Sequence, residues 1–192
     1  LNSIDNIDWI ILLFVNGGHT TFWDSFFLII SNKFTWIPLY VFLAFIFIKK
    51  FGFKNGTIII LGGLLCFALT DLISSKIFKV YFERPRPCHT VTGGLSLWLP
   101  NGKCGGLYGF ISSHAANTMG LAVFCILIFT RKMKGKLAGP ISIILMLYAL
   151  LNSLSRVYLG VHYPTDVICG AAFGGIVGYS IFFITNKWIL KD

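Results

Sequence analysis

Residues Thr57–Phe78 read TIIILGGLLCFALTDLISSKIF, 22 residues in which only Asp71 and Lys76 carry charge. A helix needs about 20 apolar residues to cross the hydrocarbon core of a bilayer, so this stretch predicts a membrane span. Four further runs qualify once their polar flanks sit in the interface: Trp36 to Ile48, Ala115 to Thr130, Leu137 to Leu154 and Asp166 to Trp188. The first is short and extends back through Phe34. The prediction is an all-α integral membrane helical bundle of five transmembrane helices forming a single domain over residues 1–192.

Composition agrees. Of the 192 residues 56% are hydrophobic, 12% are charged and 19 are Phe, against about 25% charged in ordinary soluble domains. Lipid can cover that apolar surface where water cannot. The net charge of +9 does not indicate nucleic acid, because no basic face with interleaved aromatics accompanies it. It reads instead as topology. Lys49, Lys50 and Lys54, then Arg131, Lys132, Lys134 and Lys136, then Lys187 and Lys191 sit in alternate loops, almost without acids. Such loops face the cytoplasm. Alternation puts 79–110 and 155–164 on the opposite, extracytoplasmic face of an inner membrane.

Residues 1–33 fit the map least well. Asp5 to Val15 and Phe22 to Ile30 are short apolar pieces around Asn16-Gly17-Gly18-His19. They predict either two interfacial or re-entrant helices or one broken sixth span, and Asp5, Asp8, Asp24 and Lys33 favour the interfacial pair. The acids also argue against a cleavable signal peptide. Residues 34–192 form the main bundle. Within it Gly174 and Gly178 make a small-xxx-small pair, read as close helix packing inside one chain.

Three polar stretches fall on the extracytoplasmic side, each at the end of a span. They are Lys79-x6-Arg86-Pro87, Ser112-Ser113-His114 and Ser155-Arg156-x5-His162-x3-Asp166. Pro85 and Pro87 end the helix and hold the chain extended around Arg84 and Arg86. Arginine forks suit phosphate oxygens. Lys79, one turn from a helix end, would also be explained by the helix dipole. Ser112 reads as an N-cap, and the free amides of the following turn make an anion site. Pro164 opens the last helix, which places Asp166 four residues after His162, close enough to take one ring N–H and leave the other nitrogen nucleophilic. Ionisable groups at a membrane boundary are costly unless used. Two histidines, an aspartate and three cations on one face predict cleavage of phosphate esters.

Cys66, Cys125 and Cys169 lie in spans and read as small apolar residues. Cys88 and Cys104 share the long outer loop beside Gly93-Gly94 and Gly105-Gly106, where an oxidising compartment permits a disulfide worth about 3 kcal/mol. A metal held by Cys88, His89 and Cys104 is the alternative, and it lacks a fourth ligand and the paired spacing of zinc sites.

The three stretches resemble the signature of the type-2 phosphatidic acid phosphatase superfamily, which includes vanadium haloperoxidases and glucose-6-phosphatase-type enzymes. That signature runs Lys-x6-Arg-Pro, Pro-Ser-Gly-His, then Ser-Arg-x5-His-x3-Asp. The first and third match residue for residue; in the second, Ile111 stands for Pro and Ser113 for Gly. The resemblance implies a lipid phosphate phosphatase without cofactor or metal. His162 would attack phosphorus to give a phosphohistidine, with Asp166 holding its ring. His114 would protonate the leaving oxygen and then activate water. Lys79, Arg86, Arg156, Ser112 and the amides of Ser113 and His114 would bind the phosphoryl oxygens, and Arg84 would support the site from behind. The partner would be a membrane lipid phosphate: undecaprenyl diphosphate, phosphatidylglycerol phosphate, phosphatidic acid or lipid A phosphate. A non-catalytic phospholipid-binding or transport protein that keeps the site is the alternative. Headgroup and oligomeric state are not specified by the sequence.

Overall fold

The structure, a computed structural model, describes residues 3–90, 97–100, 102–132 and 138–189. Gly93, Gly94, Lys134, Lys136 and Lys191 of the sequence map lie outside them. The described residues form seven α-helices: α1 (Ser3–Gly17), α2 (Thr21–Ser31), α3 (Ile37–Ile73), α4 (Lys79–Phe82), α5 (Ser113–Lys132), α6 (Ala138–Tyr158) and α7 (Pro164–Ile189).

Four helical stretches are long and apolar enough to cross a membrane. The longest contains the first two expected spans. Helix α3 breaks at Gly52, whose φ of 76° and ψ of 169° lie outside the helical range, a conformation that glycine reaches without a Cβ penalty. The chain folds back there. A Cβ on Gly56 would sit 2.7 Å from the Cα of Ile48, and Leu43, Phe47, Ile59 and Cys66 from the two arms share one core cluster with α5, α6 and α7. Split at Gly52, the longest stretch supplies two apolar arms, which with α5, α6 and α7 make five apolar segments among the described residues.

The core of the bundle is α5 against α7. Gly170, Gly174 and Gly178 line one face of α7 at four-residue spacing. Built Cβ atoms there would fall 2.5, 2.1 and 2.2 Å from the carbonyl oxygens of Ser112, Ala116 and Gly120. Absent side chains let the two backbones touch. That contact fixes the start of α7 beside the start of α5, where the Ser112 amide donates to the Asp166 carbonyl at 2.9 Å.

The N-terminal residues are two separate helices at the site end of the bundle, each too short to span the hydrocarbon core. Helix α1 turns Ile7, Ile10 and Phe14 outward and buries Asp8, Leu12 and Asn16. Its Leu12 packs with Ala115, Val157, Tyr163 and Val167, and Phe27 of α2 packs on Tyr158, Leu159 and Val161. Asn16 ties these parts to the outer loop: its side-chain nitrogen donates to the carbonyls of Trp98 and Tyr158, and its oxygen accepts from the Trp98 amide. Arg131, Lys132 and Lys187 close the far ends of α5 and α7, opposite the histidines.

Candidate active site

The second arm of α3 does not end cleanly. Residues Ser74–Phe78 form one wide turn, in which the Lys79 amide donates to the carbonyl of Ser74 five residues back. Such widened turns cluster at functional sites. Helix α4 then stops at Glu83, which adopts a left-handed conformation (φ 44°) and returns its amide to the Lys79 carbonyl at 3.2 Å. After it the chain extends. Pro85 pairs with Tyr108, while the Arg86 amide donates to Leu107 at 2.9 Å and the Gly109 amide to Arg84 at 2.8 Å. The returning outer loop therefore clamps the arginine segment, and a disulfide between Cys88 and Cys104 (Cα–Cα 5.9 Å) closes it. Both sulfurs being so engaged, the alternative of a metal at Cys88, His89 and Cys104 loses two of its three ligands. Gly109 lies against the catalytic candidates, where a Cβ would be 3.0 Å from Asp166 Oδ2.

These elements converge on an open cavity of about 770 Å³ lined by Lys79, Arg86, Ser113, His114, Arg156 and His162 among others. Three chain-distant motifs thus meet in one pocket. His162 is 2% exposed and Asp166 is fully buried. The Asp166 carboxylate accepts at Oδ2 from the Tyr163 amide (3.1 Å) and stands 3.3 Å from His162 Nδ1. A carboxylate only accepts, so Nδ1 carries the proton and Nε2 keeps its lone pair. Arg86 Nη1 donates to that lone pair at 3.1 Å. Burial, then the charges of Arg86, Arg156 and Lys79, hold the His162 imidazole well below its ordinary pKa, so it stays neutral.

The cations are short of partners. The Nε atoms of Arg86 and Arg156 are buried and make no hydrogen bond among the described residues; Arg156 also donates to Ser31 Oγ. Buried donors without acceptors cost free energy, and an anion with several oxygens would satisfy them. Ser113 Oγ accepts from Ser74 Oγ at 2.8 Å, which leaves its own proton free for the cavity. Here the wide turn and the Gly-to-Ser departure meet, since Ser74 belongs to that turn.

Ser112 differs from expectation. It is fully buried and does not line the cavity; its hydroxyl accepts from the Ala115 amide at 3.4 Å, the N-cap role. Arg84 points away from the cavity, donating to Asp166 Oδ1 at 2.9 Å and to Thr165 Oγ1 at 2.7 Å. Sequence reasoning missed Ser31 and Asn32 at the end of α2, Asp71 of α3 and Lys103 of the outer loop, all on the cavity wall. No motif marks them. Asp71, an acid inside an apolar span, was the one available signal.

The sequence profile of the PAP2 superfamily matches residues 56–190. A lipid A 4'-phosphatase of Bacteroides thetaiotaomicron is 35% identical over 97% of this chain and 80% of its own length. Among solved structures, a transmembrane PAP2-type phosphatidylglycerolphosphate phosphatase from Bacillus subtilis superposes with a TM-score of 0.74 at 21% identity, over 97% of this chain and 88% of that one. LpxE of Aquifex aeolicus gives a TM-score of 0.63 at 28% identity, over 94% and 95% of the two chains. The fold is shared with the first, and sequence and fold with the second. With its three motifs gathered at one cavity, the chain belongs to the PAP2 superfamily and is a phosphoric-ester hydrolase of the membrane.

Proposed function

We propose that this lipid phosphatase removes the phosphate of a lipid A-type glycolipid at the extracytoplasmic boundary of an inner membrane, through a phosphohistidine on His162. The observation that carries the mechanism is the neutral, Asp166-oriented imidazole opening onto a cavity whose buried arginine Nε atoms lack acceptors. The Nε2 lone pair of His162 attacks phosphorus as the bond to the lipid oxygen breaks. His114, open to the same cavity, gives its proton to that oxygen. It then takes a proton from the water that attacks the phosphohistidine, releasing inorganic phosphate and restoring both rings. Lys79, Arg86, Arg156, the Ser113 hydroxyl and the first amides of α5 stabilise charge on the transferring group. Arg86 moves its donor from Nε2 to a phosphoryl oxygen as substrate arrives.

Two features support a glycolipid headgroup. The Bacteroides relative acts on lipid A. Beside His114 a second recess of about 450 Å³ is lined by Asn32, Asp71, Asn117 and Asn152 together with Trp36 and Tyr148, a mixture of aromatic faces and polar groups that suits a sugar ring and its hydroxyls. Phosphate release from lipid A, undecaprenyl diphosphate, phosphatidylglycerol phosphate and phosphatidic acid should be measured with the wild type and with His162→Ala and His114→Ala. Lipid A should be turned over best, both variants should lose at least about a thousandfold in rate, and vanadate should inhibit. Turnover of soluble phosphate esters alone would refute the lipid reading. Unimpaired turnover by His162→Ala would refute the nucleophile.

A further inference from the structure

Helix α1 lies outside residues 56–190, the stretch matched by the family profile, yet it buries a carboxylate two residues removed from the nucleophile. Asp8 is 1% exposed. Its Oδ2 accepts from Arg84 Nη2 at 2.7 Å and from the Thr165 hydroxyl, and its Oδ1 accepts from the Thr165 amide at 2.9 Å. Arg84 is a fork with two ends in use. Nη2 faces Asp8 and, at 3.2 Å, Asp5; Nη1 faces Asp166 Oδ1 at 2.9 Å and Thr165. The guanidinium also lies 4.2 Å above the Tyr163 ring. Every direction in which it could swing is therefore occupied.

We infer that Asp8 is a positioning residue for phosphoryl transfer, acting through Arg84 on the Asp166–His162 pair. The inference rests on the reading of His162 as nucleophile. Asp166 has two tasks: to aim the ring and to offset the positive charge that His162 gains on attack. Arg84 holds Asp166 by Oδ1, and Asp8 pins the far end of the same fork, so the guanidinium stays in place and Oδ2 stays aimed at Nδ1. Asp8 touches neither the cavity nor substrate, which separates its effect on kcat from any effect on KM.

The test uses the full chain in detergent with the best lipid substrate of the panel above. Asp8→Asn should lower kcat about tenfold with KM within about twofold, as expected for misplacement behind a reacting group. In an Arg84→Met background the same substitution should have less than about a twofold further effect, because the path from Asp8 runs through the guanidinium. An undiminished kcat in Asp8→Asn, or an equal loss with and without Arg84, would overturn the inference; the second result would make Asp8 merely a clasp for α1. If Asp8→Asn does not fold, Arg84→Lys decides. Lysine keeps the charge but cannot span Asp8 and Asp166, so kcat must fall, and wild-type turnover would overturn the relay. A wild type inactive on every phosphate ester would overturn the functional reading itself, a result separate from either of these.

Discussion

At the scale of single residues the mechanism proposed above depends on a histidine that burial keeps uncharged. The His162 pKa lies below its ordinary value of about 6.5 in the folded chain, while an unfolded chain takes up its proton near that value. Stability from this group is complete above about 6.5 and is lost as pH falls towards the folded value. Thermal unfolding in detergent between pH 7.5 and 5 should therefore show a falling midpoint, and His162→Gln should flatten the slope. A wild type whose midpoint holds steady or rises on acidification would contradict the assignment of a neutral buried ring. The convergence of the proposed reacting residues was legible in the sequence because chemistry needs particular side chains at fixed offsets: His162 and Asp166 four residues apart, and Lys79, Arg86 and Arg156 at the ends of spans. The cap role of Ser112 was legible too, but the phosphate contact implied by the resemblance was not met, because a hydroxyl before a helix can either cap the helix or face outward, and spacing does not separate the two. Here the hydroxyl is buried on the Ala115 amide.

At the scale of elements, α5 and α7 act as one unit held by backbone contact. Gly174→Leu would put a Cβ 2.1 Å from the Ala116 carbonyl oxygen, so the helices must separate and Ser112 must leave Asp166. We expect a loss of about 3 kcal/mol or more, seen as aggregation or loss of the monodisperse peak in detergent chromatography. Gly139, with nothing within 4 Å of a built Cβ, should tolerate alanine. The five spans could be read from apolar length alone, since lipid imposes that length. The two short N-terminal helices were legible as apolar pieces, but their part in the site was not. Asp8 looks like any acid interrupting an apolar run, and its tie to Arg84 spans 76 residues of chain. Asp71 was similarly hidden, because only the fold shows that it faces the cavity beside His114.

At the scale of the whole molecule, charge and chemistry occupy opposite ends of the bundle. Lys49, Lys50, Lys54, Arg131, Lys132 and Lys187 gather at the end away from His114 and His162, and the positive-inside rule is the ground for the proposal that this end faces the cytoplasm. Single cysteines placed at Glu83 and at Lys132 should report this in intact cells treated with an impermeant thiol reagent. Glu83→Cys should label and Lys132→Cys should label only after the membrane is broken; the reverse pattern would invert the proposed orientation. The bend at Gly52 bears on how that orientation is reached during synthesis. The arms on either side of it meet almost immediately, with Gly56 against Ile48, so only a short exposed turn around Gly52 and Phe53 joins them. Two arms joined so closely would enter lipid as a pair, and a tag spliced between Gly52 and Gly56 should lower the yield of inserted protein.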